Sequence, residues 1–264
     1  MRRSMRGTQA PWPVMGLLIG TVAGQPSPGA GQQAPAEAPQ NAAHQQDRLT
    51  SGELSLSCAS RSKPSDPFLA EVALARDLES PEAAKAALDA LEPEARRMAE
   101  EAPSDAYAQY TLAAVLGARL DHESGRDKMA GAEQVRDQAE RVLELAPEHA
   151  GASYMLGKIH ASILRLGGFK RFLAKSIFGG GALEGASWEE AQALLETAVR
   201  GEPCVPEHHF ELARVYAQKG DAEGAERELG YVRELTEGLD GRQARLRERA
   251  EEMGREWRAE GYEL

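Results

Sequence analysis

From about residue 64 to the C-terminus, apolar residues return every three or four positions, and short polar turns separate the segments that carry them. That period puts one stripe of side chains on each helix face, so the pattern predicts helix after helix. The clearest copy is "PEHHFELARVYAQKGDAEGAERELGYVREL". Leu212, Ala213 and Tyr216 share one helix, a turn falls at Gly220-Asp221, and Ala225, Leu229 and Val232 share the next. The small residues Ala213 and Ala225 let two helix backbones approach, and the larger ones fill the space that remains.

The same alternation of small and large positions occurs upstream. Leu156 and Gly157 stand on one predicted helix, and Ala191, Leu195, Ala198 and then Pro203 stand on its partner. "QVRDQAERVLELAPEH" ends in the same way at Pro147, and "DAYAQYTLAAVLG" with Leu112 and Ala113 supplies a weaker first helix after Pro103. These residues resemble the tetratricopeptide repeat (TPR), a 34-residue helix pair whose second helix ends at a proline. The resemblance covers residues 104–237 best, as units 104–147, 148–203 and 204–237. It implies an all-α, TPR-like right-handed α-solenoid of about four helix pairs, the first pair degenerate. A C-terminal capping helix over 240–260 would close it, with the stripe Leu246, Ala250, Met253 and Trp257.

The repeat period fails twice. Pro103 to Pro147 is 44 residues, and the surplus fits "LDHESGRDKMAG" as a long turn. Pro147 to Pro203 is 56 residues. Ser187-Trp188-Glu189-Glu190 has capping-box spacing, which puts the second surplus between paired helices, in "GGFKRFLAKSIFGGG". That stretch is no phosphate loop, since it lacks a Gly-Lys-Ser/Thr triplet opening a helix after a strand. It reads as a short inserted amphipathic helix with Phe169, Phe172, Ile177 and Phe178 as its apolar residues and Lys175 among its cations. Packing on its own solenoid is the favoured use; contact with a partner or a membrane is the alternative.

The same insertion is similar to the helical-repeat proteins of the regulator of microtubule dynamics type. The corresponding residues are Lys175 to Gly179, Trp188 to Ala191, and Pro203 onward. Bacterial transporter-associated TPR lipoproteins look comparable, but they begin with a lipid-attached cysteine that this chain lacks. Both likenesses imply a non-enzymatic repeat protein. Neither supplies a partner, because an exported chain would meet no microtubule.

Export is expected from the N-terminus. A basic start precedes an apolar run from Val14 to Ala23, which reads as a signal peptide over 1–24. Residues 25–63 are rich in Pro, Gly, Ala, Gln and Ser and read as a disordered linker ahead of the domain at 64–264. The expected location is therefore periplasmic or secreted. Arg2, Arg3 and Arg6 are the only charges in the first 24 residues, so without them the net charge passes from −11 to −14. An acidic remainder disfavours nucleic acid as a partner. Two cysteines, Cys58 and Cys204, could pair in an oxidising compartment, but the place of Cys58 at the end of the linker argues against a structural disulfide.

A ligand would meet the first helix of each pair, which lines the concave face of such solenoids. The TPR pattern assigns its groove-facing positions to Tyr110, Tyr154 and Phe210 in the three units, and four residues later to Ala114, Lys158 and Arg214. Tyr107 extends the row. Aromatic and cation then sit side by side in two units, an arrangement suited to an extended peptide with apolar side chains and a carboxylate. Packing between neighbouring helices is the alternative use of such aromatics. No catalytic residue, metal site or cofactor is expected: His208-His209 reads as polar residues at a helix start, and His160 as a half-buried structural histidine. A solute-binding accessory of a transporter, or an oligomer assembled through the last helix, are the competing functions.

Overall fold

A computed structural model describes Cys58, residues 66–166 and residues 186–259. Among these residues every regular element is an α-helix: α1 (Pro67–Arg76), α2 (Pro81–Glu101), α3 (Ala106–Leu120), α4 (Gly125–Leu145), α5 (Ala150–Arg165), α6 (Trp188–Gly201), α7 (Pro206–Gln218), α8 (Ala222–Leu235) and α9 (Gly241–Ala259). The inserted stretch with Phe169, Phe172, Lys175, Ile177 and Phe178 lies outside the described residues, as do the expected signal and all of the linker but Cys58.

Side-chain caps set where several helices begin. Asp66 Oδ1 accepts from the Leu69 amide at 2.8 Å, and Pro67 and Pro81 open α1 and α2 where a missing N–H costs nothing. Ser187 Oγ accepts from the Glu190 amide at 3.1 Å and starts α6 at Trp188. The long turn expected at "LDHESGRDKMAG", between the helices of the unit 104–147, is corrected. Residues 121–124 alone connect α3 to α4, and most of the surplus lengthens α4 to 21 residues.

The helices pack as neighbours in chain order: α3 against α4, α5 against α6, α7 against α8, with α1 and α2 before them and α9 on α8. The first helices of successive pairs, α3, α5 and α7, also touch each other. This is an all-α helical-repeat, solenoid-like architecture. Small residues make the closest approaches, as ridge-into-groove packing requires. A Cβ at Gly157 would lie 2.9 Å from Leu195 Cγ, so only glycine lets α5 seat on α6. A Cβ at Gly151 would overlap the Tyr110 hydroxyl, so that glycine lets the α3 ring reach across to α5.

The cores follow the stack. Leu88, Ala95, Leu112, Val115, Val135 and Ile159 form the first, Leu195, Leu212, Val215 and Ala225 a second, and Phe210, Leu229, Val232, Leu246 and Ala250 a third. The last includes the α9 stripe, with Met253 and Trp257 packed at its edge. Cys58 and Cys204 form a disulfide, with Cα atoms 5.3 Å apart, beside Tyr231 and Leu235 of α8. Contrary to the expectation from its place in the linker, Cys58 is buried against α8 rather than left free.

Candidate binding site

The inner side of α1, α3, α5 and α7 lines a half-open cavity of about 1250 Å³. Its walls are continued by the start of α4, the turn between α6 and α7, the end of α8 and the start of α9. One side is apolar: Leu69 and Val72 of α1, Ala114 of α3, Val135 of α4, and Ile159 and Ile163 of α5. These residues are next to or part of the first core, so the cavity is a hollow left where that core stops filling.

The other side is polar. Asp121 caps the C-terminus of α3, where the helix dipole disfavours a negative charge. Burial also pushes its carboxyl up, yet two cations overrule both effects and hold it below the ordinary carboxylate range. Lys158 Nζ of α5 lies 3.2 Å from Asp121 Oδ1, and Arg242 Nη2 of α9 lies 3.3 Å from Asp121 Oδ2. Arg242 also approaches Glu207 of α7 at 3.4 Å and Asp77, the C-cap of α1, at 3.9 Å. One guanidinium thus ties the first turn of the last helix to the ends of the first and third and to the start of the seventh. The two ends of the stack meet across the cavity.

Two tyrosines stand in the same wall. Tyr110 stacks on His149 with ring centroids 4.3 Å apart, and Tyr154 stacks on His208 at 4.5 Å. Burial pushes the Tyr154 phenol up to about 12 and raises that of Tyr110 as well, so both are neutral hydroxyls. Both rings are partly buried side chains of the cavity wall. Burial pushes His208 down to about 4; the neutral ring then donates through Nδ1 to the Ala198 carbonyl at 3.3 Å.

Of the residues the repeat pattern assigned to the groove, the structure brings Tyr110, Ala114, Tyr154 and Lys158 to this cavity. Lys158 Nζ lies 5.7 Å from the Tyr154 ring centroid, and Arg214 lies 5.9 Å from that of Phe210, so the aromatic–cation spacing holds in both units. Phe210 and Arg214 are not in the cavity wall. Phe210 is buried in the third core under Arg249, and Arg214 bonds Glu211 at 3.0 Å. Tyr107 lies outside the wall too, partly exposed beside Asp66.

His208 and His209 are not polar surface at a helix start; both are buried. His209 Nδ1 lies 2.8 Å from Glu228 Oε2, and Nε2 lies 2.9 Å from the Pro203 carbonyl. The two contacts hold the ring between α8 and the α6–α7 turn. His160 is buried beyond the half-buried expectation. Sequence reasoning also missed Asp121, Glu202, Glu207 and Arg242 as cavity residues. Their positions lie at helix ends, where the repeat pattern carries no signal. Among the described residues no group of three or more His, Cys, Asp or Glu side chains is arranged to hold a metal ion.

The model of one protein family, described as regulator of microtubule dynamics protein 1-3, matches residues 66–256, from the α1 cap to within α9. No curated protein sequence matches the chain.

Proposed function

The chain belongs to the regulator of microtubule dynamics protein 1-3 family, and on that premise we propose that it is a non-enzymatic, TPR-like binding protein that holds a short extended stretch of a partner polypeptide in its inner cavity. The single observation that carries this reading is the cavity itself, about 1250 Å³ and walled by the inner helices of successive pairs. It exceeds the roughly 300–1000 Å³ usual for sites that take drug-sized molecules. Its apolar side suits alternate side chains of an extended segment, and the hydroxyls of Tyr110 and Tyr154 suit peptide carbonyls. Gly157 and Leu195, Ala213 and Ala225 sit at helix contacts as the tetratricopeptide pattern places them, which supports that finer reading of the repeat.

The disulfide supports export, because such bonds persist in oxidising compartments. An exported chain would find its partner outside the cytoplasm. Assembly through the last helix has less support, since the α9 stripe is already covered by α7 and α8 in the second and third cores. The walled shape keeps one competing reading in play, a small apolar solute in place of a peptide.

Fluorescence anisotropy of the full chain with labelled leucine- and valine-rich octapeptides separates them. Saturable binding is expected, abolished by Ala114→Trp, which fills the cavity from α3, with helical circular dichroism unchanged. Peptide binding that survives Ala114→Trp would overturn the proposal. Binding of 1-octanol with no octapeptide bound would transfer the site to a solute.

A further inference from the structure

We propose that the part of this cavity lined by Glu202, Tyr110 and Tyr154 holds a subsite for an organic cation, an ammonium or guanidinium group on the ligand. The inference rests on the cavity being a binding site and adds the sign of the charge it recognises.

Charge pairing around the cavity carries the argument. Its cations are mostly taken: Lys158 and Arg242 by Asp121, Arg76 by Asp77 at 3.2 Å, and Arg136 by Asp137 and its helix neighbours. Lys128 stands apart, on the first turn of α4. A ligand carboxylate at Lys158 or Arg242 would therefore have to displace Asp121. Glu202 is in the opposite condition. Its nearest basic group is His208 Nε2 at 3.8 Å, and that imidazole is kept neutral by burial. Glu202 is also the C-cap of α6, so its carboxylate stands at the negative end of a helix dipole. Water reaches the side chain, yet burial in the concavity raises its pKa with no cation to oppose it. A bound cation would relieve both penalties at once.

The tyrosines are the independent second observation. Both are partly buried rings in the cavity wall, Tyr154 lies against His208, whose Nε2 is 3.8 Å from Glu202, and the Glu202 charge is felt at the Tyr110 phenol. A carboxylate beside aromatic rings recognises ammonium and guanidinium groups through a charge-assisted hydrogen bond and the ring quadrupole. Glu234 at the end of α8 and Glu237 just past it line the same cavity and make no ion pair with a described residue, so the acidic side is broader than one residue. Lys158 sits over Tyr154 at 5.7 Å, which directs the incoming cation toward the Tyr110 end.

The test is a head-group series on the full chain by calorimetry, with octylamine, 1-octanol and octanoate as probes. Octylamine should bind about tenfold tighter than 1-octanol, the scale of one charge-assisted hydrogen bond, and octanoate weaker than either. Glu202→Gln should remove the amine preference and leave 1-octanol binding as it was. The Glu202 side chain makes no hydrogen bond within the described residues, so the variant should keep its fold. An octapeptide with a free amino terminus, its acetylated form, and an acetylated form carrying one lysine then distinguish a chain end, a basic side chain and a free amine as the source. Octanoate binding best, or octylamine binding unaltered in Glu202→Gln, would overturn the inference. Octapeptide binding with no preference for a cation would sink the subsite alone. No binding of any probe would remove the peptide reading together with it.

Discussion

The first and last helix pairs solve the same packing problem with different chemistry. In α1 and α2 the buried residues are apolar: Val72, Ala75, Ala84, Leu88, Ala95 and Ala99. Charges there lie outside, as in the exposed bonds of Arg97 to Glu94 and Glu101. In α7 and α8 the buried set includes His208, His209, Glu211 and Glu228 beside Leu212, Val215, Leu229 and Val232. An apolar contact is non-directional and holds two helices together without fixing their slide. The His209 ring, bonded to Glu228 on one side and to the Pro203 carbonyl on the other, has one geometry only. The last pair thus has a fixed register, and the α6–α7 turn that carries Glu202 into the cavity is fixed with it.

Three experiments sharpen or break that contrast. The largest effect is expected from the disulfide, which closes a chain separation of 146 residues and pins Cys58 to the α6–α7 turn. Loop entropy sets the loss for Cys204→Ser at about 5 kcal/mol, read from urea unfolding under non-reducing conditions. A loss below 1 kcal/mol would mean that this region stands without its cross-link. Next comes the buried pair. Glu228→Ala should cost about 4 kcal/mol, because it leaves His209 buried without its acceptor, whereas the joint replacement His209→Phe with Glu228→Met should recover most of it. If the joint variant were no more stable than the single one, the pair would contribute more than its own compensation.

The smallest effect is a dependence on pH. His208 is held down to about 4 by burial, against an ordinary value near 6.5. Between those values the unfolded chain binds a proton that the native chain refuses. Stability is therefore whole above pH 6.5 and falls by about 3 kcal/mol as pH drops toward 4, at about 1.4 kcal/mol per pH unit. Urea midpoints measured from pH 7 to pH 4 should show that decline, and His208→Gln should flatten it. An unchanged decline in His208→Gln would assign the acid sensitivity to another group.

Much of this was legible beforehand. Caps such as Asp66 and Ser187 are written in the four or five residues around each helix start, because a cap is a local hydrogen bond. The small-residue contacts at Gly157 and Ala225 follow from a period of one helix face. Tyr110, Tyr154 and Lys158 share a face in the sequence and a cavity in space. The pattern failed where two distant elements decide. Phe210 obeys the same spacing as Tyr154, but α9 packs over it and removes it from the concave side. His208 and His209 look like surface residues until α8 and the α6–α7 turn close around them.

The sequence by itself determined that this chain makes helices, where they begin, and which stripe of each is apolar, since those properties depend on neighbours within one or two turns. Tertiary structure alone decided that the stack closes on itself. Arg242 reaches Asp121 across 121 residues, Cys58 reaches Cys204 across 146, and Glu202 is left facing a hollow without a cation. Such meetings follow from how far a curved stack has turned by its last pair, a sum of small packing angles that no local segment records.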